Sequence, residues 1–339
     1  MTITSSDSPE PTTPEMSNIH GSQKAVLRKI TSINVKRKIH LLSPKNTVIA
    51  AVVGIVVGGI LFLAGSQVNP ESAKFVKTPQ FITWYLLILI LPAYWSIVVI
   101  PLWQSVGDFD QPKRTTFITV LGSALVIIVG LAVEPILTYA TGSGSFSFVE
   151  SPLAYHWIRM SILMTLGLAT VAPAVTGIWY VSRTASQIAS QSRIHNEHIE
   201  ALVWLRVRLQ WYITVLGIVV GLVTLATGAL RNAILAFDPI QKTTFTVEIV
   251  LVYGGLFTLL LAFVYVPVHQ SLLRVGRYVR DEAFPINSLS RSNWDEWFSR
   301  RNDFEELLHL KSNSYESFQT GVLILGPLLT GLVAILLEQ

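Results

Sequence analysis

The chain contains no cysteine, which excludes disulfides, thiolate metal sites and a cysteine nucleophile. Charge is scarce as well: 14% of the 339 residues are Asp, Glu, Lys or Arg, against roughly 25% in ordinary soluble domains. Motifs that carry known chemistry are missing too. There is no GxxxxGK[ST] phosphate loop and no HExxH zinc pair, and the last apolar run has no lysine for a retinal Schiff base. His195, Glu197, His198 and Glu200 fall close together, but one helix supplies too few ligands for a metal, so they read as a solvated face. No catalytic residue, metal or cofactor is expected.

What the chain has is hydrophobicity gathered into runs. Mean hydropathy is +0.51, and about 20 consecutive apolar residues suffice to cross a hydrocarbon core roughly 30 Å thick. Seven stretches meet that length: 47–65, 82–103, 116–140, 157–181, 211–236, 247–268 and 317–337. Lipid offers no partner to a backbone N–H or carbonyl, so such runs must be helices. The short alternating strands of a β-barrel are absent from the pattern. The expected fold class is all-α, a polytopic membrane helix bundle of seven transmembrane helices.

Lysine and arginine set the expected orientation. Twenty of the 25 fall in the N-terminal tail, 105–114, 182–210 and 269–316. Only Lys74, Lys77, Arg159, Arg231 and Lys242 fall on the other side. The bias places the N-terminus in the cytoplasm and the C-terminus outside. Trp and Tyr favour the interface, and they gather near run ends: Trp84, Tyr85, Tyr139 and Trp157 outside, Trp103, Trp179, Tyr180, Trp211 and Tyr212 inside. The net charge of +4 restates the same bias and does not point to nucleic acid. The expected location is a cell (cytoplasmic) membrane, with the bilayer as the first partner.

Residues 1–20 are rich in Ser, Thr and Pro and read as a disordered tail. The segment 21–46 is basic and amphipathic. It fits either a helix lying on an anionic leaflet or a positive flank that orients the first run. With the first run starting this late, a cleaved leader is not expected. Residues 47–268 form a six-helix membrane region whose stretch 183–210 is a cytoplasmic helical stalk. The loop 269–316 contains an amphipathic helix over 293–310, and 317–339 is the seventh span. In that helix Ser292 and Asp295 fit a capping box, and Trp294, Trp297, Phe298 and Phe304 share an apolar stripe. Its polar face, Glu305 included, is net acidic. Anionic headgroups repel such a face, so docking on protein is expected, either a cytoplasmic partner or the basic segment 24–38.

Three further sets stand out. Glu134, Arg159, Arg231 and Glu248 are ionisable groups inside apolar runs, which is costly and marks them by default. They suit either ion pairs that lock helix ends or an outward-facing vestibule for a charged ligand. Arg274, Arg277 and Arg280 recur every third residue and suit positive-inside anchoring or an anionic lipid headgroup. GIVVG occurs at 54–58 and at 217–221, and such GxxxG faces serve close packing within the bundle or in a homo-oligomer. Two functions follow: a non-enzymatic scaffold or signalling component engaging a partner through cytoplasmic loops, or a small transporter or channel with a charged vestibule. Neutralising Glu134 and Arg231 together separates the readings of the charges. Lost ligand flux supports the vestibule, whereas intact expression with only lowered thermal stability supports the ion pairs.

Overall fold

The computed structural model describes residues 41–63, 70–109, 155–190, 196–238, 245–285 and 294–310, together with 114, 117–125, 128, 321, 325, 326 and 329. Seven helices are assembled from them: α1 (Pro44–Leu63), α2 (Pro70–Phe75), α3 (Pro79–Gly107), α4 (His156–Ala189), α5 (Asn196–Phe237), α6 (Val247–Ala283) and α7 (Trp294–Leu307). No strand occurs among the described residues. Five of the helices, α1 and α3 to α6, are long and apolar enough to cross a membrane, which supports a multi-pass membrane protein. The expected third and seventh spans fall largely outside the described residues. Within the third, residues 117–125 are helical, and Ser123 bonds Thr176 of α4 hydroxyl to hydroxyl at 2.9 Å.

Local sequence explains where several helices begin. Proline is favoured at the first helical position because its missing N–H has no intrahelical acceptor there. Pro44, Pro70 and Pro79 open α1, α2 and α3. Ahead of two of them stands a hydroxyl cap: the Asn46 N–H donates to Ser43 Oγ at 3.4 Å, and the Phe81 N–H donates to Thr78 Oγ1 at 3.2 Å. The helices also outrun the apolar stretches. α4 continues to Ala189, α5 starts at Asn196 and α6 reaches Ala283.

The bundle has two ends. At one, the C-termini of α3, α4 and α6 meet the N-terminus of α5, with most of the described arginines; it is called the basic end here. At the far end Phe62 of α1 meets Trp84 of α3, ring centroids 5.5 Å apart, and Phe75 of α2 meets Phe237 of α5 at 5.4 Å. Trp84, Tyr180 and Tyr212 lie at run ends, yet all three are buried. They are core residues and not part of an interfacial belt, because neighbouring helices converge on them. Trp103, by contrast, is exposed and donates its indole N–H to the Ala169 carbonyl at 3.2 Å.

Outside, the bundle is apolar. Val48, Val52, Val56 and Ile60 of α1 are exposed, as are Val252, Leu259, Phe263 and Val266 of α6. Water would penalise these faces and lipid does not.

α1 joins the bundle through its glycines. A Cβ placed on Gly54 would lie 2.3 Å from the Pro92 carbonyl oxygen of α3, and one on Gly58 2.9 Å from Pro92 Cγ. The GxxxG face of α1 is therefore filled within the chain. Gly54→Ala should force backbone against backbone and destabilise the protein by about 1–3 kcal/mol, read as a lowered melting temperature in detergent. Gly221→Ala, where a Cβ meets nothing within 4 Å, is the control expected not to lower it, since a helix interior favours Ala over Gly.

Candidate functional site

Of the four ionisable positions of the apolar runs, Arg159, Arg231 and Glu248 are among the described residues, all at the far end of the bundle. Arg159, at the start of α4, is 8% exposed and donates from Nη1 to the Phe62 carbonyl at 3.5 Å. Phe62 lies in the last turn of α1, where carbonyls lack helical partners and a cation is favoured by the helix dipole. Arg231, near the end of α5, is 3% exposed and donates from Nε to the Phe245 carbonyl at 2.8 Å. It ties α5 to the residues that lead into α6. Glu248 is exposed in the first turn of α6, and Glu134 lies outside the described residues.

The basic end holds a buried polar cluster that sequence reading did not single out. Arg208 of α5 is 3% exposed and forms an ion pair with Asp108. Asp108 is the C-cap of α3, a position where the helix dipole disfavours an acid, so the guanidinium offsets an otherwise awkward charge. The same guanidinium lies over the Trp204 ring, 5.1 Å from its centroid. One turn along, the Tyr212 and Ser105 hydroxyls are 2.8 Å apart. A Cβ on Gly177 would lie 2.2 Å from the Tyr212 ring, so glycine there lets α4 and α5 close over the phenol. A signal for Arg208 was present: it shares a helix side with Leu205, Leu209 and Tyr212, all buried.

Beside this cluster α7 folds back on α6. Glu305 accepts from Arg280 Nη1 at 2.8 Å, and both side chains are largely buried. Arg301 reaches Asp281 at 2.9 Å, and Phe304 packs on Phe284 with centroids 5.4 Å apart. α7 ends in a Schellman turn: the Leu310 N–H donates to the Glu305 carbonyl at 2.8 Å and the His309 N–H to that of Glu306 at 2.9 Å. His309 takes the left-handed conformation that this turn needs, φ 48°, and its carbonyl accepts from Arg206 of α5. The turn delivers Leu310 to Gly276 of α6, where a Cβ would lie 2.6 Å from Leu310 Cδ2.

The N-terminal half of α7 is different. Trp294 and Phe298 are 54% and 49% exposed. Their rings stack 6.4 Å apart, with Trp297 beside them under the Arg301 guanidinium. Glu296 pairs with Arg300, whereas Asp295, Asp303 and Glu306 make no ion pair among the described residues.

Of the three regularly spaced arginines, only Arg280 turns to α7. Arg274 and Arg277 are exposed and continue the stripe of Leu259, Phe263 and Val266 along α6. The basic segment 24–38, an expected partner for the acidic helix, lies outside the described residues. Among the described residues Glu305 meets Arg280.

If the Arg280–Glu305 pair fastens α7, Arg280→Gln should weaken docking by about 1.5–3 kcal/mol, the range for hydrogen bonds to charged groups. Amide exchange across 294–307 should quicken accordingly, and Arg280→Lys, which keeps the charge, should retain most of the protection. Comparison with protein-family models, with characterised proteins and with solved structures finds no match.

Proposed function

We propose that this protein is a non-enzymatic, multi-pass component of a cytoplasmic membrane, its basic end inside, acting as a scaffold or signalling element that engages a cytoplasmic protein through α7. One observation carries the reading: α7 is fastened by its C-terminal half while its N-terminal half presents Trp294 and Phe298 to the surroundings. A helix held in this way offers a rigid aromatic anchor, and aromatic residues dominate the energetics of protein interfaces. Asp295, Asp303 and Glu306, with no ion pair among the described residues, select the partner's chemistry. They repel an anionic headgroup layer and attract a segment that is apolar with basic flanks. The lysine and arginine bias supports the orientation.

A photo-cross-linking residue in place of Phe298, in native membranes, tests the reading. The expected adduct is with one protein, at a segment rich in Lys or Arg beside apolar residues. Trp294→Ala and Asp303→Lys should each lower its yield at least tenfold while insertion is unchanged. Adducts with lipid alone, or with residues 24–38 of the same chain, would overturn it.

A further inference from the structure

The helices that carry α7 also enclose a space at the other end of the bundle. Between α3, α4, α5 and α6 lies a cavity of about 270 Å³. It reaches from Trp84, His156, Leu230 and Phe245 at the far end to Trp95, Val175, Leu216 and Val264 deeper in the bundle. At 1.5 Å per helical residue, the stretches 216–230 and 249–264 make it about 20 Å long. A hydrocarbon core of roughly 30 Å gives each leaflet about 15 Å of acyl chain, so the slot is somewhat longer than one leaflet's hydrocarbon is deep.

Its walls are aliphatic and aromatic on every helix, with few polar side chains. The Thr227 hydroxyl already donates to its own helix at the Val223 carbonyl, 3.0 Å away. His156 stands at the far end beside Trp84, ring centroids 6.3 Å apart. Trp95 lines the deep end, buried, its indole N–H without a hydrogen-bond partner among the described residues. A cavity of about 150 Å³ with such walls stays dry and admits an apolar guest, because a water needs two to four polar partners. Left empty, this larger space would forfeit the dispersion contacts of its lining.

We infer that the slot is a binding site for the hydrocarbon chain of a single-chain amphiphile, the head lying at the far end. Two features select that occupant: among the described residues the walls offer water almost no hydrogen-bonding partners, and the shape is long and narrow. The head lies at the far end because the other end is deeper in the bundle. Arg159 and Arg231 do not line the slot and each already donates to a backbone carbonyl, while Glu248 stands beside the lining residue Ile249, so charge does not choose the head. Two-chained lipids need about twice the width, and a compact polar solute would find almost no hydrogen-bonding groups on the described walls. Gly167 sets the bore: a Cβ there would come within 2.9 Å of the Trp95 ring, so any larger residue pushes the indole into the slot. The inference does not rest on the partner reading of α7.

The probe is dibromostearate, whose bromines quench tryptophan on contact, added to the full-length protein in nanodiscs of phosphatidylcholine. Saturable quenching is expected, and most of its amplitude should vanish in Trp95→Phe. Unlabelled stearate should relieve it. Ala226→Phe, which fills the slot, should raise the half-saturating concentration at least tenfold, and Val223→Phe provides a second filling should the first fail to fold. Quenching that rises without saturation, or that persists undiminished in a folded, filled variant, marks ordinary contact with bulk lipid and overturns the inference. Should both variants fail to fold, competition in the unaltered protein decides: relief by stearate supports the site, and no relief overturns it.

Discussion

Hydrocarbon cannot satisfy a backbone carbonyl or stabilise a charge, and the placement of the buried arginines here follows from that constraint. Helices satisfy themselves except at their ends. The buried arginines are accordingly found at ends: Arg159 on the last turn of α1, Arg231 on the residues leading into α6, Arg208 on the acid that caps α3. In each case one long side chain serves a terminus of a different helix. These contacts join helices as well as neutralising polar groups. With no disulfide available, they share that work with close glycine contacts such as Gly54 on Pro92.

The two ends put the same residue type to different uses. At the far end both buried arginines donate to backbone carbonyls and leave the neighbouring slot almost wholly apolar. At the basic end arginine meets carboxylate. Arg208, buried beside the Trp204 ring, meets the partly exposed Asp108, and Arg280 and Arg301 with Asp281 and Glu305 form a half-buried network where α6 meets α7. Removing one partner of a buried pair leaves an uncompensated charge, which costs more than the pair contributes. The basic end is thus held in one geometry more strictly than its modest apolar contacts alone would require, and an exposed aromatic anchor is useful only on a helix so held.

The sequence made the membrane-crossing helices legible because the length of an apolar run measures the hydrocarbon core. It does not measure the helix. α4, α5 and α6 run on past their apolar stretches, where water replaces lipid and the hydrophobic signal fades although the hydrogen-bond ladder continues. Partners were less legible than elements. The acid at Glu305 was visible, but its match at Arg280 depends on how tightly the chain turns after Phe284. Arg208 was counted as one more inside cation, although its place between Leu205 and Tyr212 marks a buried face. The slot left no trace at all: a stripe of Val and Leu reads the same whether it packs against a neighbour or lines a space.

α6 is the element that ties these features together. Its exposed apolar stripe of Leu259, Phe263 and Val266 gives way to exposed Arg274, Arg277 and Tyr278, the pattern expected where a helix leaves hydrocarbon for the headgroup region. Toward the far end, Ile249 to Val264 line the slot. Beyond the arginines, Gly276 to Phe284 carry α7. Between the slot and the part of α6 that carries α7 stands Pro267, which removes the hydrogen bond to the Phe263 carbonyl and makes this turn easier to bend. A shift of the lining segment would therefore be absorbed at Pro267 unless the contacts of α6 with α4 and α5 carry it past that point. Buried Val268, Leu272 and Val275 supply such contacts directly after the proline. The proline sets where α6 can bend, and these packed side chains set how much of a bend reaches α7.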